Sequence, residues 1–216
     1  MVAGYCPTLS IFPEFYPVLK NAYQKTLTEA GCDEAGRGCF AGPVFAAAVI
    51  LPEDFFHPEL NDSKLVAPAI REKLRIFIES GAVSFAVAMA DHTEIDQTNI
   101  LKASFRAMHR AIGQLRVKPG LLLIDGNRFS RYPKIPHRCI VKGDSLYAAI
   151  AAASILAKTY RDAYMLELHD QFPQYNWKEN KGYGTQAHRE AIRRYGLCKY
   201  HRKSFKILPE QLSLDY

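Results

Sequence analysis

Four acids in this chain stand where an apolar run stops. Asp33 and Glu34 follow "TEAGC" and open the turn Gly36–Arg37–Gly38 in "GCDEAGRG"; Asp125 ends "LLLID"; Asp144 follows "RCIVKG". Ligand sites in open α/β sheets form outside the carboxyl ends of strands. If the fold brings these ends together, the carboxylates cannot all ionise unless something positive sits among them. Hard divalent ions with oxygen ligands, Mg²⁺ or Mn²⁺, suit such a set, and no His or Cys cluster competes as a zinc site. Two such ions about 3.5–4 Å apart activate a water and steady the leaving oxygen in phosphodiester hydrolysis. Each acid alone has a plainer reading: a strand-end Asp is most often a turn former, and Asp144 an N-cap. Adjacent strand residues also face opposite ways, so Asp33 and Glu34 share one site only if the strand bends or ends there. The glycines allow that; alternatively, Glu34 contributes through its backbone carbonyl.

The elements that must position these acids follow from periodicity. Residues 17–28 form a weak helical stretch. Residues 30–34 and 43–51 read as strands joined through the glycine turn, which makes them antiparallel. A helix is expected near 68–79, with Ile70, Leu74, Phe77 and Ile78 on one face, and Gly81 stops it. "AVSFAVAMA" is a third strand, residues 93–115 one long amphipathic helix, and "GLLLID" and "RCIVK" two further strands. Residues 143–172 read as a long helix capped by Asp144 or Ser145. A helix over 186–195, ended by Gly196, precedes a basic tail. The later alternation of strand and helix favours parallel neighbours, giving an α/β fold with a mixed sheet covered by helices. Residues 1–170 are expected to form the main domain and 171–216 a basic helical extension.

Composition narrows the class. Of 216 residues, 48% are hydrophobic and 23% charged, as in a globular protein with a real core. No apolar run reaches the ~20 residues that span a bilayer, and the first residues lack the pattern of a signal peptide. The five cysteines show no C-x-x-C pair, which suits free thiols in a cytoplasmic protein. Net charge is +6, and Lys178–Lys206 hold nine bases against only Glu179 and Glu190, so the positive charge belongs to the C-terminal segment. A local basic patch suits a polyanion, although a solvated helix face has the same composition.

The motifs together are specific. "GCDEAGRG" with "AGPVFAAAVILP", then "LNDSK", "LLLIDGN", "VKGDSLYAAIAAASILAKTYRDAYM", "KGYGTQAHREAIRRYG" and "HRKSF", resemble in order the blocks of bacterial ribonuclease HII, the type 2 ribonuclease H. They cover residues 30–206. Ribonuclease HIII, which carries an extra N-terminal domain, is less similar. The resemblance implies a ribonuclease H-like fold: a mixed five-stranded sheet flanked by helices, with a small C-terminal helical extension. It implies hydrolysis of RNA in RNA–DNA hybrids and cleavage 5′ of single ribonucleotides in duplex DNA, leaving 3′-hydroxyl and 5′-phosphate ends. The implied cellular role is ribonucleotide removal and degradation of RNA primers. Asp33, Glu34, Asp125 and Asp144 match the family's metal-binding acids, served by Mn²⁺ or Mg²⁺. Gly36, Arg37 and Gly38 match a motif that reads the ribose 2′-hydroxyl largely through backbone. Tyr183 matches a tyrosine that packs on the sugar at the junction, and Lys64 a lysine that contacts phosphate. Cys39 stands where proline is usual, Ala149 where serine is frequent, and the residues after Lys64 also depart from the common pattern.

The chemistry agrees with what the resemblance implies. Glycines let backbone groups approach a sugar closely, and the 2′-hydroxyl is what distinguishes RNA from DNA. A less selective nuclease would share the acids without needing Gly36–Gly38 and Tyr183, and a binding protein without catalysis would not need the acids. His188 and His201 are expected to make structural hydrogen bonds, Ser154 to pack, and Trp177 to anchor the extension. The chain is expected to be monomeric, with the tail "ILPEQLSLDY" offered to a sliding clamp.

Overall fold

Small side chains line the first two strands, and they set how closely a helix can approach. The structure, a computed structural model, describes residues 19–24 and 26–208. The strands are β1 (Glu29–Ala35), β2 (Val44–Ile50), β3 (Ser84–Ala90), β4 (Leu121–Asp125) and β5 (His137–Ile140). They form one sheet in the order β3-β2-β1-β4-β5. β1 pairs antiparallel with β2 and β2 with β3, while β4 runs parallel to both β1 and β5. The mixed sheet expected from the element order is the one observed.

Helices cover both faces. On one lies α3 (Ile100–Gln114), whose Ala103, Ala107, Met108, Ala111 and Ile112 pack on Ala30, Cys32, Ala46, Ala48 and Ile124. On the other lie α1 (Pro68–Gly81) and α4 (Ala148–Gln171); Leu74, Ile78 and the alanines of α4 pack on Ala47 and Val49. Gly31 permits the closest approach: a Cβ there would fall inside the van der Waals shell of the Ala149 backbone. The alanine-rich start of α4 therefore sits directly on β1, and that contact brings the turn before α4 against the ends of β1 and β4.

Four expectations need correction. Residues 19–24 and 26–28 form no helix; Lys20 instead makes an isolated parallel bridge to Tyr147. The helix expected over 93–115 is two, α2 (His92–Gln97) and α3, because Asn99 turns its side chain back to accept from Lys102 N–H and starts a new helix. The strand "RCIVK" ends at Ile140, and Lys142 takes a left-handed conformation at φ 55°. Asp144 does not cap α4. It lies in a 3-10 turn over Gly143–Ser145, and Tyr147 is the N-cap.

The C-terminal segment carries a 3-10 turn (Pro173–Tyr175), α5 (Trp177–Asn180) and α6 (Gln186–Tyr195), which Gly196 closes. Its Tyr175, Trp177, Ile192 and Ile207 share a core with Phe40 and Ala41 from the β1–β2 loop and with Met165 and Leu168 from α4. Residues 209–216, most of the segment offered to a clamp, lie outside the described residues.

Candidate active site

β1 and β4 are adjacent and parallel, with Cys32 opposite Ile124. The next residues along the two strands are Asp33 and Asp125, so two carboxylates emerge side by side from one sheet edge. Asp144 joins them from the 3-10 turn, whose Gly143 N–H donates to Asp125 Oδ1 at 2.8 Å. Each of these three acids offers a carboxylate oxygen within 4.8 Å of the others. Asp33 and Asp144 are buried and Asp125 is half-buried.

Glu34 stands apart from this group. It is one residue further along the strand and opposite in the pleat, and its Oε1 accepts from Arg37 Nη1 at 3.0 Å. Its backbone N–H donates to Asp33 Oδ1 at 2.7 Å and so helps fix that carboxylate. The sequence left open whether Glu34 acts by side chain or backbone; here its carboxylate is engaged by Arg37.

The electrostatics are those of an anion cluster. Burial, reinforced by the charges of Glu34 and Asp125, holds the Asp33 carboxyl well above the ordinary range. Burial also raises Asp144; Asp125 and Asp62 add to this, and Lys64 opposes it. Burial raises Glu34 as well, against the Arg37 guanidinium. Lys64 Nζ approaches Asp62 at 3.3 Å and Asp144 at 3.7 Å, placing a cation at the rim. The donor set is all oxygen, close-spaced and short of positive charge, which fits Mg²⁺ or Mn²⁺ and not zinc.

Next to the acids lies the glycine turn. Gly36 has φ +97°, and a Cβ on it would collide with the Arg161 guanidinium. Only glycine therefore suits this position, on both dihedral and steric grounds. Just beyond Gly38, Cys39 bridges antiparallel to Tyr183, and Phe40 N–H donates to Gly182 O at 2.7 Å. The two motifs, about 145 residues apart in the chain, form one surface. Tyr183 is 42% exposed, so it is not a core aromatic. Burial and the Cys39 thiol beside it push its phenol up.

Several residues at this site read as ordinary in the sequence. Arg161, in the middle of α4, is fully buried and donates to Pro43 O, Lys181 O and Ala41 O, tying the loop after β1 to the loop before Tyr183. Ser154, expected only to pack, lies beside Asp33 and opposes the rise of its carboxyl, while its hydroxyl donates to that of Ser63 at 2.8 Å. Its position in the second turn of an alanine-rich helix was the one available signal. His188 and His201 make the structural hydrogen bonds expected of them. His201 Nδ1 accepts from Cys198 N–H, so its Nε2 carries the proton and faces His188 Nε2 at 3.2 Å. His188 Nε2 also accepts from Trp177 Nε1–H, which leaves Nδ1–H for Tyr183 O at 2.9 Å. Trp177 is fully buried in the core of the extension.

A mixed sheet of this order, with acids at the adjacent ends of β1 and β4 and helices on both faces, is a ribonuclease H-like fold. Solved structures share it: ribonuclease H2 from Pyrococcus horikoshii superposes with a TM-score of 0.70 at 24% identity, over 83% of this chain and 94% of that one. The PCNA:RNase HII complex from Archaeoglobus fulgidus contains a chain with a TM-score of 0.68 at 24% identity, over 84% and 96%. The family model of ribonuclease HII matches residues 30–208. Ribonuclease HII of Parabacteroides distasonis is 64% identical over 188 residues, 87% of this chain and 94% of that protein. The chain belongs to the ribonuclease HII family. It is a ribonuclease H, a hydrolase that cleaves the RNA of RNA–DNA hybrids internally.

Proposed function

We propose that this protein cuts on the 5′ side of single ribonucleotides embedded in duplex DNA, leaving 3′-hydroxyl and 5′-phosphate ends, and so serves ribonucleotide removal and RNA primer degradation. The observation that carries the reading is the single surface formed by the acid cluster, the Gly36–Gly38 turn and Tyr183. Asp33, Asp125 and Asp144 would hold divalent ions, Mg²⁺ or Mn²⁺, with Glu34 completing the anionic field. When bound, those ions supply water activation and charge neutralisation at the scissile phosphate.

The chain's own groups supply recognition. Lys64 is exposed and tethered at the cluster rim, where it meets a phosphate. Backbone groups of Gly36, Arg37 and Gly38 hydrogen bond the 2′-hydroxyl, and a deoxyribose leaves them unpaired, which discriminates strongly. Tyr183 packs on the next sugar, where a hydroxyl would collide with its ring. The domain reading is one catalytic unit to residue 170 and a basic extension from 171 that tracks phosphates. A sliding-clamp partner is the reading for the tail, supported only by its hydrophobic and aromatic residues and by the complex with PCNA formed by the structural relative.

The test is cleavage of a DNA duplex holding one ribonucleotide, with Mg²⁺, with Mn²⁺ and with chelator. We expect one product pair, cut 5′ of the ribonucleotide, in either metal and none in chelator. Cleavage confined to continuous hybrids would remove the single-ribonucleotide assignment.

A further inference from the structure

In the sequence Arg202 is one more base of a basic tail. In the fold it is fully buried. Its guanidinium donates to three carbonyls of the loop after β1: Nη2 to Gly36 O at 2.7 Å, Nη1 to Arg37 O at 2.9 Å and Nε to Gly42 O at 3.0 Å. None of the ion pairs among the described residues includes it. A buried charge without a counter-ion is costly, and stability alone is a weak reason to keep one. A planar, five-donor head that fixes several carbonyls at once is a stronger reason.

The consequence lies on the other side of the loop. In a trans peptide the C=O of one residue and the N–H of the next point opposite ways. Drawing the Gly36 and Arg37 carbonyls onto Arg202 therefore turns the N–H groups of Arg37 and Gly38 outward. Among the described residues neither N–H has an acceptor, whereas Cys39 N–H goes to Gly36 O and Phe40 N–H to Gly182 O. The space around Gly38 is open, with nothing within 4 Å of where its Cβ would be. Two free N–H groups backed by a fixed cation make a preorganised donor pair for an oxygen.

We propose that Arg202 is the positioning residue of the ribose reader, holding the Gly36 and Arg37 carbonyls inward so that the Arg37 and Gly38 N–H groups meet the 2′ oxygen. The inference rests on the ribose-reading role proposed above. Its neighbour His201 does the matching task for the other half of the surface: through His188 it holds the Tyr183 carbonyl. One dipeptide thus sets both the turn that reads one sugar and the loop that carries the ring to the next.

The experiment compares two duplexes that differ by one ribonucleotide, with binding read by fluorescence anisotropy in the absence of divalent metal. In the wild-type protein the ribonucleotide duplex binds more tightly. In Arg202→Lys, which keeps the charge but loses the fork, that preference falls about ten-fold, toward parity. Affinity for the all-DNA duplex stays within about two-fold because phosphate contacts are untouched, and calorimetric Mn²⁺ affinity is unchanged. A preference that survives in Arg202→Lys, with only the melting temperature lowered, overturns the inference and leaves the reading standing. Equal wild-type affinity for both duplexes overturns the reading and the inference together. Should Arg202→Lys not fold, the wild-type protein decides. Exchange of the Arg37 and Gly38 amide hydrogens slows with the ribonucleotide duplex and not with the all-DNA duplex; identical exchange in the two overturns the inference.

Discussion

Asp125 is the member of the acid cluster whose change is easiest to interpret. Asp125→Asn keeps the size of the side chain and the acceptor for Gly143 N–H but removes the charge that holds a cation. We expect turnover to fall by three orders of magnitude or so, with the fold intact. Saturating Mn²⁺ should raise the melting temperature of the wild-type protein, by the equivalent of about 2.7 kcal/mol at a hundred times Kd. The variant should show little of that shift, and a near-native rate in both metals would remove Asp125 from the metal set. Tyr183 offers a second test at this scale. Contacts of a ring with nucleotides are worth roughly 1–3 kcal/mol, so Tyr183→Ala should lower cleavage about ten- to a hundred-fold. The loss should be greater for one embedded ribonucleotide than for continuous RNA. Because the ring is 42% exposed, the melting temperature should hardly move; an equal loss on both substrates with a lowered melting temperature would sink the junction role.

At the scale of elements, the loop after β1 is held from two sides, by the 181–184 segment and by 200–202, and a buried histidine pair braces the first of these. Burial and the neighbouring His188 push His201 down to about 4, below its ordinary 6.5. The unfolded chain therefore binds more protons than the folded one between those values. Stability from this group is complete above about pH 6.5 and is lost as pH falls toward 4, roughly 3 kcal/mol in all. The raised carboxylates of Asp33, Glu34 and Asp144 act in the opposite sense, since the folded state there holds more protons. The difference between wild type and His201→Phe isolates the imidazole. Melting curves from pH 7 to pH 4 should show a steeper acid loss in the wild type; parallel curves would mean the pair carries no pH dependence.

Across the whole molecule, the basic segment divides into two populations. Arg202 is buried, and Arg189 and Lys181 are half-buried and bonded to backbone carbonyls, Arg189 to Gly184 and Ile207, and Lys181 to Lys178. Lys178, Arg194, Lys199, Lys203 and Lys206 are exposed. Only exposed bases can neutralise phosphates, and each phosphate neutralised adds roughly −0.9 to the log–log slope of affinity against salt. Changing Lys178, Arg194 and Lys199 together to Ala should flatten that slope by between about one and three units, measured on an all-DNA duplex. An unchanged slope would assign these charges to solubility.

Much of this was legible in the sequence because it depends on local pattern. Alternation and apolar runs located all five strands, and a short glycine connection required β1 and β2 to be antiparallel. Acids at the ends of "LLLID" and "TEAGC" marked the catalytic edge. Where local signals competed, the reading slipped: Asp144 and Ser145 both suit an N-cap, yet the chain needed a 3-10 turn to bring Asp144 beside Asp125, and Asn99 broke a helix whose apolar periodicity ran through it. What only the tertiary structure decided was the fate of charges whose partners are far away in the chain. Arg161 and Arg202 look like surface arginines, the first because Asp162 stands beside it and the second because it falls in a run of bases. Their partners include backbone carbonyls 120 and 165 positions distant, and a carbonyl leaves no mark on the identity of its residue. Residue types therefore told where metal and sugar would be met, while the aim of the backbone that meets them depended on which buried cation the folded chain set behind it.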